Sequence, residues 1–146
     1  MEFDRPFEQL PRGIRNNNPG NIRHSPTKWR GQLADQSADD AFVQFEHPIY
    51  GLRAMARILM TYQRKHGLKT IRAIVNRYAP PVENDTDAYA RHVAKEIAVG
   101  LDYEIDLAAE REAFATVLRT MVRHENGEQP YPDFFFDDAI TLAAAS

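Results

Sequence analysis

Apolar residues recur at helical spacing through most of the chain beyond residue 48. Leu52, Met55, Ala56 and Leu59 stand at i, i+3, i+4 and i+7, which predicts an amphipathic helix. Pro48 suits its first turn and Gly67 its end. A shorter helix is expected from Thr70, a good N-cap, with Ile71, Ile74, Val75 and Tyr78 on one face. "APPVEND" then breaks the pattern, because two prolines cannot continue a helix. Asp85 or Thr86 caps the next helix, which groups Tyr89, Val93 and Ile97 and stops near Gly100. The last long helix runs from about Leu107 to Asn126, with Phe114, Val117, Leu118, Met121 and Val122 on its core face. Before Pro48 the pattern changes: Trp29 to Leu33 and Ala41 to Glu46 ("AFVQFE") favour a small hairpin or short sheet. In the tail, Phe134 to Phe136 are expected to pack on the body and the final residues to fray. Four helices and a β element predict a mostly helical α+β fold. Residues 1–146 are expected to form a single domain, with 1–11 and 141–146 loosely ordered.

The composition, 43% apolar and 27% charged, is that of a globular protein, and no apolar stretch approaches a membrane span. The opening "MEFDRPFEQL" has neither the basic nor the apolar region of a Sec signal. The absence of cysteine excludes disulfides, thiolate metal sites and cysteine nucleophiles. A net charge of −3 argues against a nucleic-acid partner. Yet Pro11 to Ala34 carries Arg12, Arg15, Arg23, Lys28 and Arg30 with no acid. That stretch reads as a solvated basic loop, or as a patch facing an anionic polymer.

One carboxylate stands out. The apolar face that begins at Phe114 continues, at offset 11, to Glu125, two residues before Gly127. An acid there is partly desolvated and meets the negative end of the helix dipole, and both effects favour its protonated form. A general acid needs that environment; the plainer reading is a frayed helix end with Glu125 in water. His24, His47, His66, His92 and His124 form no metal-binding pair, so a catalytic metal is not expected. A GxSxG elbow and glycine-rich phosphate loops are missing. Carboxylate chemistry remains open. Its other candidates are Asp39, Asp40 and Glu46 near the β element, Glu83 in the proline break, and Glu8.

"RGIRNNNPGNIR", "FVQFEHPIYGLRAMARILMTYQRKHG", "RYAPPVENDTDAYARHV" and "RHENG" together resemble a family of small phage and prophage proteins often described as virion structural proteins. A second resemblance is to lysozyme-like enzymes, the lytic transglycosylases and glucosaminidases. Their Asn-rich loop is similar to Asn17, Asn18, Pro19, Gly20, Asn21 and Ile22, and their W-x-G hairpin to Trp29 and Gly31. Their strand resembles Phe42 with Phe45, and their aromatic segment Tyr78, Ala79 and Tyr89. "VLRTMVRHENG" looks like their catalytic glutamate helix, here at the opposite end of the chain, with Asn126 in place of a serine.

This resemblance implies a lysozyme-like domain with a β-hairpin lobe and circularly permuted order. It implies an enzyme that degrades peptidoglycan or a related amino-sugar polymer, as a phage endolysin does, with Glu125 as general acid and no cofactor. Glu83 or Asp39 would act as base, unless the substrate's own acetamido group attacks. Asn17, Asn18, Asn21, Trp29, Tyr78 and Tyr89 would contact sugar. Such a protein would be made in the host cytoplasm and act at the cell wall, or travel in a phage particle among other virion proteins. The alternative is a non-enzymatic virion or glycan-binding component.

Overall fold

In the computed structural model, residues 2–82 and 84–145 are described. Among the described residues six α-helices carry the architecture: α1 (Arg12–Arg15), α2 (Pro48–His66), α3 (Ile71–Tyr78), α4 (Thr86–Glu96), α5 (Arg111–Asn126) and α6 (Asp133–Ala145). Short 3-10 turns occupy Phe7–Gln9 and Leu107–Ala109.

The central element is α2. Leu52, Ala54, Met55, Ala56 and Leu59 are wholly buried, and even Gly51 and Arg53 lie inside. It packs most extensively on α6, whose buried residues are Phe135, Phe136, Ala139, Ile140 and Ala143. On the other side α3 packs on α4, and α4 on α5. Phe114, Val117, Leu118, Met121 and Val122 of α5 are fully buried, as the spacing requires.

The helix ends follow local chemistry. The His47 ring accepts from the Ile49 N–H, Thr70 Oγ1 from Ala73, and the Asp85 carboxylate from Ala88. Gly67 and Gly127 close α2 and α5 in the left-handed conformation, with φ of 64° and 75°. Two ends differ from the sequence expectation. Residues 107–109 form a separate 3-10 turn, so α5 begins at Arg111, and α4 stops at Glu96, after which Ala98 turns with φ 57°. The tail is a helix through Ala145.

The α+β expectation is overturned. Among the described residues there is no strand, only two isolated antiparallel bridges, Arg23 to Phe42 and Gln32 to Phe45. The hairpin lobe is therefore absent, and with it the lysozyme-like α+β class; the fold is all-helical. The reason lies in what pairs with 41–46. Its N–H groups at Ala41 and Phe42 donate to the Asp39 carboxylate, and that of Gln44 donates to Gln36 Oε1. Its carbonyls at Val43 and Phe45 accept from the Asn18 and Asn17 side chains. Its backbone bonds are spread over three segments, to Ile22 and His24, to Gly31 and Leu33, and to Asn16, and side-chain amides and a carboxylate take the positions between them, so pairing stops at single bridges. The β-rich composition of "AFVQFE" survives as extended chain without a ladder.

Candidate active site

The site forms where the loop after α1 meets the end of α5. The asparagines shape that loop. Asn17 and Asn21 adopt φ of 52° and 51°, a region asparagine tolerates better than most residues. Asn18 is wholly buried; its Nδ2 donates to the Ile22 and Val43 carbonyls, and its Oδ1 accepts from the Ile22 N–H. Three bonds from one side chain hold the bend that Pro19 and Gly20 begin.

Asn126 fastens this loop to α5. Its Nδ2 donates to the Val122 carbonyl in its own helix at 2.9 Å and to the Pro19 carbonyl at 2.8 Å. Gly13 of α1 lies beneath the junction. A Cβ there would collide with Asn126 Oδ1 and stand 2.8 Å from Asn21 Oδ1 and 2.9 Å from the Asn18 carbonyl. Gly20 is equally constrained, since any side chain would strike the Tyr78 hydroxyl and Met55. The Tyr78 hydroxyl donates to the Gly20 carbonyl at 2.6 Å.

The loop therefore delivers Asn21 to Glu125. Asn21 Nδ2 donates to Glu125 Oε1 at 3.2 Å, and the Tyr89 hydroxyl donates to Glu125 Oε2 at 3.1 Å. Burial raises the Glu125 carboxyl above its ordinary range, and these two bonds to the ionised form offset only part of that rise. No cation pairs with it among the described residues. Tyr78 and Tyr89 are pushed well above the usual phenol range by burial and by the nearby Glu125, so both are neutral donors. Behind Tyr89, His124 stacks on its ring at 4.4 Å between centroids. Burial and neighbouring His92 lower the His124 pKa.

Glu125 opens onto a cleft of about 590 Å³ whose walls include Gly20, Asn21, Arg23, Phe42, Tyr62, Arg77 and Tyr78. Among its described lining residues Glu125 is the only acid. The cleft accordingly combines one protonatable carboxyl with amide donors, aromatic faces and two guanidinium groups. That set can donate a proton to a bound oxygen and hold a polar, ring-bearing ligand.

The remaining sequence candidates lie elsewhere. Asp39 lines a separate hollow with Arg12, Asn16 and Asn17. Arg12 grips both its oxygens at 2.7 and 2.6 Å, and Asn16 donates at 2.8 Å. Chiefly through Arg12, its carboxyl is held well below the usual range, permanently ionised. Asn17 donates to the Phe45 carbonyl, and buried Asn18 serves the loop. Trp29 packs against the core edge away from the cleft lining. Tyr89 is almost fully buried and reaches the site through its hydroxyl alone. Glu83 lies outside the described residues. Sequence reasoning missed Gly13, the clamp role of Asn126, and Arg77. Only Asn126 left a signal, as the neighbour of Glu125 at the helix end.

No family model matches the chain. Over 132 residues it is 36% identical to Protein P5 of Pseudoalteromonas phage PM2, an alignment covering 88% of this chain and 79% of that protein. The chain belongs to the Protein P5 family. Its kinship with Protein P5 makes it a phage-related protein, and the alignment spans enough of both chains to concern the whole fold. Among the described residues, no helix of this family member is long and apolar enough to cross a membrane.

Proposed function

We propose that this phage-related protein binds the glycan strand of peptidoglycan in the Glu125 cleft and cleaves it, with Glu125 as general acid. The observation that carries the reading is the state of Glu125: a half-buried carboxyl, raised by burial, touched by two neutral donors and opening onto a cleft. In the reaction the Glu125 proton passes to the glycosidic oxygen as the C1–O bond breaks, and the bonding pair leaves with that oxygen. With Asp39 occupied by Arg12 in another hollow, the substrate's acetamido oxygen supplies the second role by bonding to C1. The Glu125 carboxylate then accepts a proton from the hydroxyl that opens this cyclic intermediate. Muramidase, glucosaminidase and transglycosylase outcomes all begin with this proton transfer.

A second reading has its own support. Kinship with a phage protein bears on a phage role and says nothing of catalysis, so it favours a non-enzymatic particle component that binds glycan or another virion protein. Turbidity loss on purified cell wall separates the two. Wild type is expected to clear the wall and Glu125→Gln to be slower by on the order of 100-fold or more. Retention on the wall by both proteins, without clearing by either, would leave the binding component as the function.

A further inference from the structure

The hollow beside Asp39 takes no part in the chemistry of the Glu125 cleft. It encloses about 680 Å³, and its walls include Phe7, Arg12, Arg15, Leu33, Asp40 and Gln44. Two of these are apolar and open to solvent, Phe7 at 63% and Leu33 at 38% exposure. Phe7 is held in that position. Its 3-10 turn is closed by the Gln9 N–H donating to the Pro6 carbonyl and the Leu10 N–H to the Phe7 carbonyl, each at 3.0 Å. Leu10 sits in the core after the turn, and before it Arg5 donates to Glu128. An aromatic ring fixed on the wall of a concavity offers a flat apolar face with little freedom left to lose on binding.

Gln44 supplies the polar half. It lines the hollow yet is only 5% exposed, and its Nε2 has no hydrogen-bond partner among the described residues. A buried donor without an acceptor is destabilising, and a ligand carbonyl that reached it would relieve that penalty. With no bond to hold Nε2, the terminal amide can turn its N–H groups toward the hollow. The charged residues of the described lining are two arginines, Arg12 and Arg15, and two aspartates, Asp39 and Asp40, so their charges balance and a neutral ligand fits best. The hollow also adjoins the Glu125 cleft. The Arg12 guanidinium lies 4.6 Å from the ring centroid of Phe42, and Phe42 lines that cleft.

We propose that this hollow is a second binding site, which takes an N-acetylated sugar unit of the strand held by the Glu125 cleft. The C–H face of the pyranose packs on Phe7, the acetamido methyl on Leu33, and the acetamido carbonyl accepts from Gln44 Nε2. An acetamido group is neutral, half apolar and half carbonyl, which is the combination these walls present. Phe42 and Arg12 form the ridge that the strand crosses between the two sites. The course of the strand rests on the cleft being a glycan site; binding in the hollow needs no cleavage.

The test is an NMR titration of the full chain with a soluble chito-oligosaccharide, in a Glu125→Gln background so that no strand is cut. A cello-oligosaccharide of equal length is the control, since it carries hydroxyls where the first carries acetamido groups. Shifts are expected at the Gln44 side-chain amide and the Leu33 backbone amide, and the control should bind about 10-fold more weakly. Phe7→Ala should weaken binding by about 5-fold to 30-fold through loss of a covered apolar face. Gln44→Leu should weaken it by about 3-fold to 10-fold while leaving thermal melting unchanged or higher, because it removes an unpaired buried donor. A role confined to folding gives the reverse, lower melting and unchanged binding. Equal affinity for the two oligosaccharides, no shift at Gln44 and Leu33, or full affinity with Phe7→Ala and Gln44→Leu combined would overturn the inference. Shifts in the hollow without wall clearing by wild type uphold it and remove the cleavage reading. Clearing without shifts in the hollow does the opposite.

Discussion

The loop after α1 ends in two carboxylate sites that use the same residue type to opposite effect. At one end Asn16 donates to Asp39, and at the other Asn21 donates to Glu125. Asp39 also receives two bonds from Arg12 and two backbone N–H groups, those of Ala41 and Phe42 at 2.9 and 3.0 Å. Every acceptor site on it favours the anion, and it stays ionised. Glu125 has one amide, one phenol and no cation, so burial prevails and its proton is held more tightly than usual. Two carboxyls touched by asparagines of one loop are thus divided between structure and chemistry by what surrounds them, as in other sites where environments push paired acids apart.

Removing each carboxyl should therefore have a different signature. Glu125→Gln is expected to abolish wall clearing by on the order of 100-fold to 10,000-fold, while a urea melt shifts by less than about 1 kcal/mol. Asp39→Ala should behave the other way round. It leaves two backbone N–H groups and Arg12 without their acceptor, and a loss of roughly 2–4 kcal/mol in the urea melt is expected. Half-exposure of Arg12 keeps the figure below that of a fully buried pair. Comparable stability losses in the two variants would erase the distinction between the sites.

The pH dependence carries the same contrast with opposite sign. Asp39 titrates below its unfolded value when folded, so its stabilisation is complete above the ordinary aspartate range and disappears as pH falls. Glu125 titrates above its unfolded value, so its contribution is complete below the ordinary glutamate range and is lost as pH rises through the folded value. Relative to wild type, Glu125→Gln should gain stability as pH rises from about 4 toward neutrality. Asp39→Asn should lose its deficit as pH falls below about 4. Chemical denaturation across that range reads both slopes, and parallel curves would contradict the assignment.

How much of this was legible in sequence depends on the kind of interaction. The periodic face of α5 runs through Val122 and points directly to Glu125, because burial at helical spacing is written in residue order. Thr70 and Gly67 likewise mark helix ends through local chemistry. The arrangement of 41–46 was not legible. Aromatic and β-branched residues suggested a hairpin, but the backbone bonds of 41–46 are scattered over residues 16, 22–24 and 31–33, its other bonds go to the side chains of Asn17, Asn18, Gln36 and Asp39, and nothing in composition distinguishes such partners from a strand. Asn18 shows the same limit: it read as a sugar-facing amide, whereas it is buried and bonds to Ile22 of its own loop and to Val43 of the neighbouring segment. The tail was ambiguous for another reason. The apolar residues of α6 lie close together in sequence, and helical order there depends on packing against α2.

Smaller perturbations test how the loop holds Glu125. Gly13→Ala inserts a methyl group against Asn126, Asn21 and the Asn18 carbonyl, and should cost about 1–3 kcal/mol by overpacking. Its clearing rate should fall with it, because Asn21 must move from Glu125. Asn126→Ala removes two bonds, one of them the tie to Pro19, and a loss of about 1–2 kcal/mol in the urea melt is expected.

Tyr89→Phe is the gentlest probe, since it deletes one oxygen and keeps the ring stacked on His124. The lost bond favoured the ionised carboxylate, so the Glu125 pKa should rise further, as read from the carboxyl carbon in an NMR titration. Stability near neutral pH should fall by no more than about 1 kcal/mol. If the pKa instead fell, burial would not be the dominant influence on Glu125, and the contrast with Asp39 would have to rest on the cation alone.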